Sequence, residues 1–264
     1  MATTLAIRLD YGIALVDHPD AAHRIGEIIA RSCFAVLQRT SVRKLDRWSQ
    51  YEQTSAEIVT KYLLDRSNDS VSFDNGRKGE LVATADIQCG QRVRPKGPSI
   101  TRWFCYIAMP LDLPQLEAVL RGVFDLAAAV QAAVGFVAAE PDYGLAQRLA
   151  VGTFKPKPRR GLSDRRRRER RARDRKDDHI DTQLAGVEWG TFLGRGHLER
   201  VNIPALRDSG VFERVIEISP TLAFLQLTKD PDDDLTDGFE LKLQAARDLL
   251  APVLMDISDV SVES

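Results

Sequence analysis

The chain has few of the residues that nucleophilic catalysis needs. Such catalysis pairs a serine or cysteine with a general base. The histidines that could act as that base are His18, His23, His179 and His197. No Gly-x-Ser-x-Gly elbow occurs, and no cysteine lies in a recognisable catalytic signature. We therefore expect no catalytic residues, and we interpret His18 and His23 as surface residues beside a helix start.

Two further segments contain residue types that bind metals or phosphates. Asp177, Asp178, His179 and Asp181 could supply ligands, but metal sites normally gather ligands from separate, ordered elements. The glycine-rich residues 190–196 lack the lysine and the serine or threonine that follow the last glycine of a P-loop. The sequence therefore predicts neither a metal site nor a bound cofactor.

One basic segment interrupts an otherwise acidic chain. Residues 155–176 hold 13 Lys or Arg against three acids, a local net charge of +10, within a chain of net charge −1, so the remainder carries −11. The segment has almost no apolar residue, so we expect that it buries no face. It would form a solvated loop or a helix stabilised only by its charges. The favoured interpretation is a tolerated, poorly ordered loop insertion.

Binding of phosphates is the alternative role for this segment. Arginines that contact phosphates give salt-dependent binding without sequence preference, although the segment has no aromatic residue that could stack on bases. A nucleic-acid-associated protein is therefore the alternative function. Its expected contacts are Arg165, Arg166, Arg167, Arg168, Arg170 and Arg171.

A group of aspartates precedes the last predicted helix. These carboxylates favour the positive end of a helix dipole, and they also offer an acidic surface to a basic protein partner. They do not match an EF-hand loop, which needs a glycine at its sixth position and a glutamate at its twelfth. The candidate partner-binding residues are Asp230, Asp232, Asp233, Asp234 and Asp237.

Hydrophobic periodicity predicts an α+β protein with mainly antiparallel sheet. We expect strands over Thr4–Leu15, Val71–Phe73, Leu81–Ile87, Trp103–Met109, Ala133–Ala138, Val211–Ile218 and Leu222–Leu227. We expect helices over Asp20–Leu37, Trp48–Leu64, Asp112 to about Ala127, Tyr143–Leu149 and Asp237 to about Pro252.

The same outline occurs twice along the chain. Trp103–Val130 and Leu222–Val253 each predict a buried strand, an acidic turn and a helix that opens on a capping box. The capping boxes are Asp112 with Gln115 and Asp237 with Glu240. We therefore predict two similar halves, residues 1–154 and 179–264, joined by an Arg-rich loop over residues 155–178, or else one continuous domain.

The compartment follows from the cysteines and the apolar runs. Cys33, Cys89 and Cys105 are odd in number and lack CxxC spacing, which is typical of reduced cytosolic thiols. Arg8 and Asp10 interrupt the N-terminus before any signal peptide could form. The stretch from residue 126 to residue 139 is too short to span a bilayer. We expect a cytoplasmic protein without a membrane partner.

One segment resembles a known family. Gly186-Val-Glu-Trp-Gly-Thr-Phe-Leu-Gly194, followed by His197-Leu-Glu-Arg200, is similar to the Gly-Val-x-Trp-x-Thr-Phe-Leu-Gly segment of a bacterial type VI secretion immunity family, formerly a domain of unknown function. The resemblance extends over about Ser99–Val253. The chain departs from the family in its arginine run and in having fewer glycines after Leu198. The residues of structural importance are Gly186, Trp189, Thr191, Phe192, Leu193 and Gly194.

The resemblance implies a protein that neutralises a toxin. Such an immunity protein is not an enzyme and supplies no catalytic residue. Its partner would be a cognate protein toxin encoded nearby and acting in the cytoplasm. The acidic remainder of the chain is compatible with this role, because it would steer and complement a basic toxin. Trp189 is expected to be buried.

Overall fold

The chain forms two compact units. In the computed structural model the described residues are 3–44, 47–75, 83–89, 103–110, 113–152, 163–173, 181–236, 238–258 and 260. The first unit comprises Leu9–Ala132, and the second combines Met1–Arg8 with Ala133–Ser264. The predicted α+β class with mainly antiparallel strand pairing is confirmed.

Among its described residues, the first unit combines six strands, one of them shared, with three α-helices. Its strands are β1 (Thr4–Tyr11, of which Leu9–Tyr11 belong to this unit), β2 (Arg39–Lys44), β3 (Arg47–Gln53), β4 (Ser70–Asp74), β5 (Thr84–Gln88) and β6 (Trp103–Pro110). Its helices are α1 (Pro19–Ile29), α2 (Ala56–Leu64) and α3 (Leu116–Ala129). Hydrogen-bonded neighbours follow the order β3-β2-β4-β5-β6-β1.

The strands of the first unit present one apolar and one polar face. Val42, Val71 and Ile87 are paired across β2, β4 and β5 and are buried. Because side chains alternate along a strand, the polar residues lie on the opposite face. There Ser70 donates a hydrogen bond of 3.0 Å to Asp86, and Ser72 donates a second one.

The sequence prediction for residues 39–64 of the first unit is wrong in part. The predicted helix Trp48–Leu64 is a strand over Arg47–Gln53 followed by α2, which begins after Ser55 accepts a hydrogen bond from the Ile58 amide. The strand Arg39–Lys44 was not predicted at all. Its residues are mostly polar, and only pairing with β3 and β4 satisfies its backbone.

In the part of the chain that the structure describes, the second unit adds four further strands and five α-helices. Its strands are β7 (Val134–Glu140), β8 (Gly190–Gly194), β9 (Arg214–Ser219) and β10 (Leu222–Gln226), together with Thr4–Arg8 of β1. Its helices are α4 (Tyr143–Val151), α5 (Asp164–Ala172), α6 (Arg195–Leu198), α7 (Ile203–Asp208) and α8 (Phe239–Leu249). Hydrogen-bonded neighbours follow the order β1-β7-β8-β10-β9.

Close packing in the second unit depends on glycines in β8. A Cβ atom on Gly194 would lie 2.3 Å from the Ala133 carbonyl oxygen, so only glycine allows β8 to reach the start of β7. Phe192 lies between Gly190 and Gly194 in β8. Its ring lies 4.8 Å from the Phe224 ring of β10, centroid to centroid. Both faces of β8 are buried.

The repeated outline is present in part. After β6 and after β10 the chain forms a short 3₁₀ helix, over Leu113–Gln115 and Pro231–Leu235, and then α3 or α8. Neither α-helix opens on a side-chain cap, because Gln115 and Gly238 occupy the cap positions with helical backbone angles. Asp112 and Asp237, the predicted caps, lie outside the described residues. Among the described residues, no helix is long and apolar enough to cross a membrane.

Candidate functional site

The described part of the arginine segment is a helix, not a loop. Ser163 caps α5 by accepting a hydrogen bond of 3.2 Å from the Arg166 amide. The prediction that this segment buries no face is wrong, because Arg166, Glu169 and Arg170 are buried. The remaining residues of the predicted loop, 155–162 and 174–178, lie outside the described residues.

Three arginines of this helix meet one carboxylate. Arg166, Arg170 and Arg173 are spaced by four and three residues, which places them on one helix face. Arg166 Nη2 lies 2.7 Å from Glu188 Oε2, and Arg173 Nη1 lies 2.7 Å from Glu188 Oε1. Arg170 donates to both oxygens, from Nε at 2.9 Å and from Nη2 at 3.2 Å. Glu188 is therefore the centre of the contact.

Two more buried acids balance the remaining positive charge. Arg170 Nη1 donates to Glu140 Oε1 of β7 at 2.6 Å. Arg166 pairs with the Asp234 carboxylate, which also accepts a hydrogen bond of 3.2 Å from the Ala139 amide. We name these six residues the arginine–carboxylate cluster: Arg166, Arg170, Arg173, Glu140, Glu188 and Asp234. Three positive and three negative charges are thus buried or half-buried together.

A second ion pair attaches α5 to the last long helix. Arg247 of α8 donates to both oxygens of Glu169, from Nε at 2.7 Å and from Nη2 at 2.8 Å. Its third contact is Nη1 to Glu240 Oε1, at 2.7 Å. A guanidinium that binds a carboxylate through two parallel bonds fixes orientation as well as distance. Two adjacent faces of α5 are therefore held by charge-assisted hydrogen bonds.

The local electrostatics keep the central carboxylate ionised. Burial opposes ionisation of Glu188, but Arg170, Arg166 and Arg173 together hold its pKa well below the usual value. Burial raises the pKa of Asp234, and the attraction of Arg166 only partly opposes that rise. The two acids differ because Glu188 faces three guanidinium groups and Asp234 pairs with one of them.

The family-like segment supplies both Glu188 and the packing around it. The prediction that Trp189 is buried is confirmed, and its Nε1 donates to Thr228 Oγ1 at 3.1 Å. Thr191 Oγ1 accepts a hydrogen bond of 3.2 Å from the Glu188 amide. A Cβ atom on Gly186 would lie 2.5 Å from the Glu169 Cβ, so this glycine lets α5 approach. Phe192, Leu193 and Gly194 continue the segment as the buried strand β8.

The five candidate partner-binding aspartates do not form one surface. Asp234 is buried within the arginine–carboxylate cluster, which corrects its prediction as a partner contact. Asp230 is half-buried and accepts a hydrogen bond of 2.9 Å from the Asp232 amide at the start of the 3₁₀ helix. Asp232 is exposed and Asp233 is half-exposed. Asp237 lies outside the described residues.

The candidate nucleic-acid contacts are divided in the same way. Arg166 and Arg170 are committed to buried carboxylates, so their prediction as surface contacts is wrong. Arg165 is exposed and binds Glu169 at 3.3 Å. Arg167, which pairs with Asp164, is half-buried, as are Arg168 and Arg171. Two of the six candidate arginines therefore serve packing within the second unit.

The histidines and cysteines lie apart from this cluster. His18 and His23 are exposed, as predicted, whereas His197 of α6 is buried and burial lowers its pKa. Burial raises the pKa of Cys89 and of Cys105, and both thiols are free. Among the residues that the structure describes, no three His, Cys, Asp or Glu side chains group as a metal site would. His179 lies outside those residues.

Comparison with known proteins gives a likeness of fold. No protein-family model matches the chain, and no curated protein matches it. The structure is similar to a solved structure described as "Pseudomonas aeruginosa T6SS protein PA0821", where T6SS denotes the type VI secretion system. The superposition has a TM-score of 0.62 at 13% identity, and it covers 96% of this chain and 73% of that chain.

Proposed function

We propose that the protein is an immunity protein that binds and neutralises a cognate toxin of a type VI secretion system. The observation that carries the proposal is the likeness of nearly the whole chain to the Pseudomonas aeruginosa T6SS protein. The Gly186–Gly194 segment supports it independently, since the residues that resemble the immunity family are those that build β8 and position Glu188.

The physical character of the second unit suits such a role. A protein that blocks a toxin benefits from a preorganised surface, because less ordering is needed when the complex forms. The arginine–carboxylate cluster holds α5, β7 and the 3₁₀ helix Pro231–Leu235 through charge-assisted hydrogen bonds. That 3₁₀ helix presents the Asp232 and Asp233 carboxylates to solvent. These two residues are the contact surface that we propose for a basic toxin.

Co-expression with the product of the neighbouring reading frame tests the function. The toxin alone should stop growth of a bacterial host in which it acts, and the immunity protein should restore growth and co-purify with it. Unchanged lethality together with no co-purified complex would contradict the proposal for that pair.

A matched pair of variants tests the proposed surface. Asp232→Lys with Asp233→Lys should weaken rescue and reduce toxin affinity at least tenfold, because one exposed and one half-exposed carboxylate become ammonium groups. Glu199→Lys with Asp208→Lys changes the net charge equally at other exposed positions of the same unit and should leave rescue intact. Full rescue by the first variant would remove the Asp232–Asp233 surface and leave the immunity function standing.

A further inference from the structure

His197 of α6 is a buried side chain without a hydrogen-bond partner. The residue is fully shielded from solvent, and neither of its ring nitrogens has a partner among the residues that the structure describes. A neutral imidazole offers one N–H donor and one acceptor, and leaving both unpaired away from water costs free energy. The groups around the ring therefore decide which protonation state it can hold.

α6 is approached closely by a short segment that precedes the family-like segment. A Cβ atom on Gly196 would lie 2.3 Å from the Asp181 carbonyl oxygen, so residues 181–184 pack directly on α6. Arg200, just after α6, donates from Nη1 to the Thr182 carbonyl at 3.4 Å. We name the packing of residues 181–184 on α6 the His197 contact.

Residues 181–184 are also held by two backbone hydrogen bonds to the chain after α8. The Leu184 amide donates to the Val253 carbonyl at 2.6 Å, and the Leu184 carbonyl accepts from the Met255 amide at 2.9 Å. Leu184 and Leu254 thus form an isolated parallel bridge outside the named strands. A bridge with so few hydrogen bonds opens at a lower free energy than a strand that is paired on both sides. The His197 contact can therefore open while the sheet stays folded.

Burial dominates the electrostatics of the ring and lowers the pKa of His197. The Gln183 and Ala133 carbonyl groups and the Asp181 carboxylate partly oppose that effect, and Arg200 adds to it. β8 and β10, which also contact α6, carry no charged side chain. The other charged residues of this helical turn are exposed to solvent: Arg195 and Glu199. An imidazolium is therefore disfavoured while the His197 contact is closed.

We infer that His197 is a pH-sensitive switch of the second unit: its neutral ring permits the His197 contact, and its protonation in weak acid opens that contact. An imidazolium donates from both ring nitrogens, and burying a charge without partners for it is costly. Opening of the contact brings water to the ring. The inference does not depend on the proposed function.

The direction of the pKa shift defines the pH window. The ring has a lower pKa in the closed state than in the open state, where it approaches about 6.5. The open state therefore binds more protons, and the closed contact loses stability as the pH falls from about 6.5 toward the closed-state pKa. Above that window its stability is fully present. The window starts well above about pH 4.3, where glutamates such as Glu188 take up protons when unfolded.

NMR of the full-length wild type tests the switch directly. The His197 ring should titrate at a lower pH than the exposed rings of His18 and His23. Hydrogen exchange at the Leu184 amide, corrected for the pH dependence of intrinsic exchange, should show at least about fivefold more local opening at pH 5 than at pH 7.5. The Leu225 amide, in β10 between β8 and β9, should show no such rise. Titration of His197 together with His18 and His23, equal Leu184 opening at the two pH values, or an equal rise at both amides would overturn the inference.

A substitution of the ring assigns the acid sensitivity to His197. His197→Phe keeps an aromatic ring and removes the nitrogens that bind protons. In this variant the rise in Leu184 opening between pH 7.5 and pH 5 should shrink to less than about twofold, whereas the control His23→Phe should keep the full rise. A full rise in His197→Phe would assign the sensitivity to another group and overturn the inference. If His197→Phe does not fold, the wild-type titration decides.

Discussion

Arg170 and Glu188 form a two-point ion pair inside the second unit, with both side chains almost completely buried. Arg170 Nε and Nη2 donate to the two oxygens of Glu188, and its Nη1 donates to Glu140. Removing two charges from water costs several kcal/mol per ion, and only close geometry with additional hydrogen bonds offsets that cost. The arginine–carboxylate cluster supplies both, because each of its guanidinium groups faces an acid.

Removal of the central carboxylate should strongly destabilise the protein. Glu188→Gln leaves Arg170, Arg166 and Arg173 with one negative charge fewer, in a site that excludes water. Breaking a buried ion pair from one side costs about 3–5 kcal/mol. Urea unfolding should show that loss as a lower midpoint. Glu199→Gln, on the surface, should change stability by less than about 0.5 kcal/mol, and a similar effect of both variants would contradict the role assigned to Glu188.

The pair between α5 and α8 should behave as a coupled unit. Glu169→Gln and Arg247→Met should each destabilise the protein, because each leaves a buried partner without its counter-charge. The double variant should lose less than the sum of the single losses, with a coupling free energy of about 0.5–3 kcal/mol. Urea unfolding of the wild type, the two single variants and the double variant gives this coupling free energy. Strict additivity would show that α5 is held by other contacts.

The sequence permitted a partial prediction of this site. The spacing of Arg166, Arg170 and Arg173 already places three cations on one helix face, and Glu188 lies within an apolar segment, where an unpaired acid would be costly. Those two observations together could have predicted the contact. The arginines were not connected with Glu188 on the sequence alone, for two reasons. Glu188 occupies the variable position of the family-like segment, and an arginine run is usually a solvated surface.

The remaining contacts depend on the tertiary fold. Asp234 follows other aspartates at a predicted helix start, and only its contacts with Arg166 and with the Ala139 amide distinguish it from the exposed Asp232. The burial of Trp189, which lies in an apolar, aromatic segment, was predicted from the sequence. Strand β2 was missed because its residues are mostly polar, and pairing on both sides stabilises it.

Stability should fall in acid through protonation of Glu188. Three guanidinium groups hold its folded-state pKa well below its unfolded value, which is about 4.3. Its contribution is therefore fully present above that unfolded value and is lost as the pH falls through the folded-state pKa. Burial raises the pKa of Asp234 and acts in the opposite direction.

Urea unfolding between pH 3 and pH 7 separates this contribution from those of other acids. Below about pH 4.3 the wild-type free energy of unfolding should fall more steeply than that of Glu188→Gln, by up to roughly 1.4 kcal/mol per pH unit for one proton. Glu199→Gln should follow the wild-type slope. Parallel slopes for wild type and Glu188→Gln would show that folding does not lower the pKa of Glu188.

Gly186 should be required for α5 to pack against the family-like segment. A Cβ atom at this position would lie 2.5 Å from the Glu169 Cβ and 2.8 Å from its carboxyl carbon, so Gly186→Ala must displace the side chain that binds Arg247. Overpacking of this kind costs about 1–3 kcal/mol.

Gly238→Ala is the matched control, since no atom lies within 4 Å of a Cβ there and its backbone angles suit any residue. Thermal unfolding should show a clear loss for Gly186→Ala and little change for Gly238→Ala. Because the closest approach is to the Cβ of Glu169, Glu169→Gly should tolerate Gly186→Ala with a smaller additional loss than the wild type does. An undiminished loss in that background would place the collision elsewhere than at Glu169.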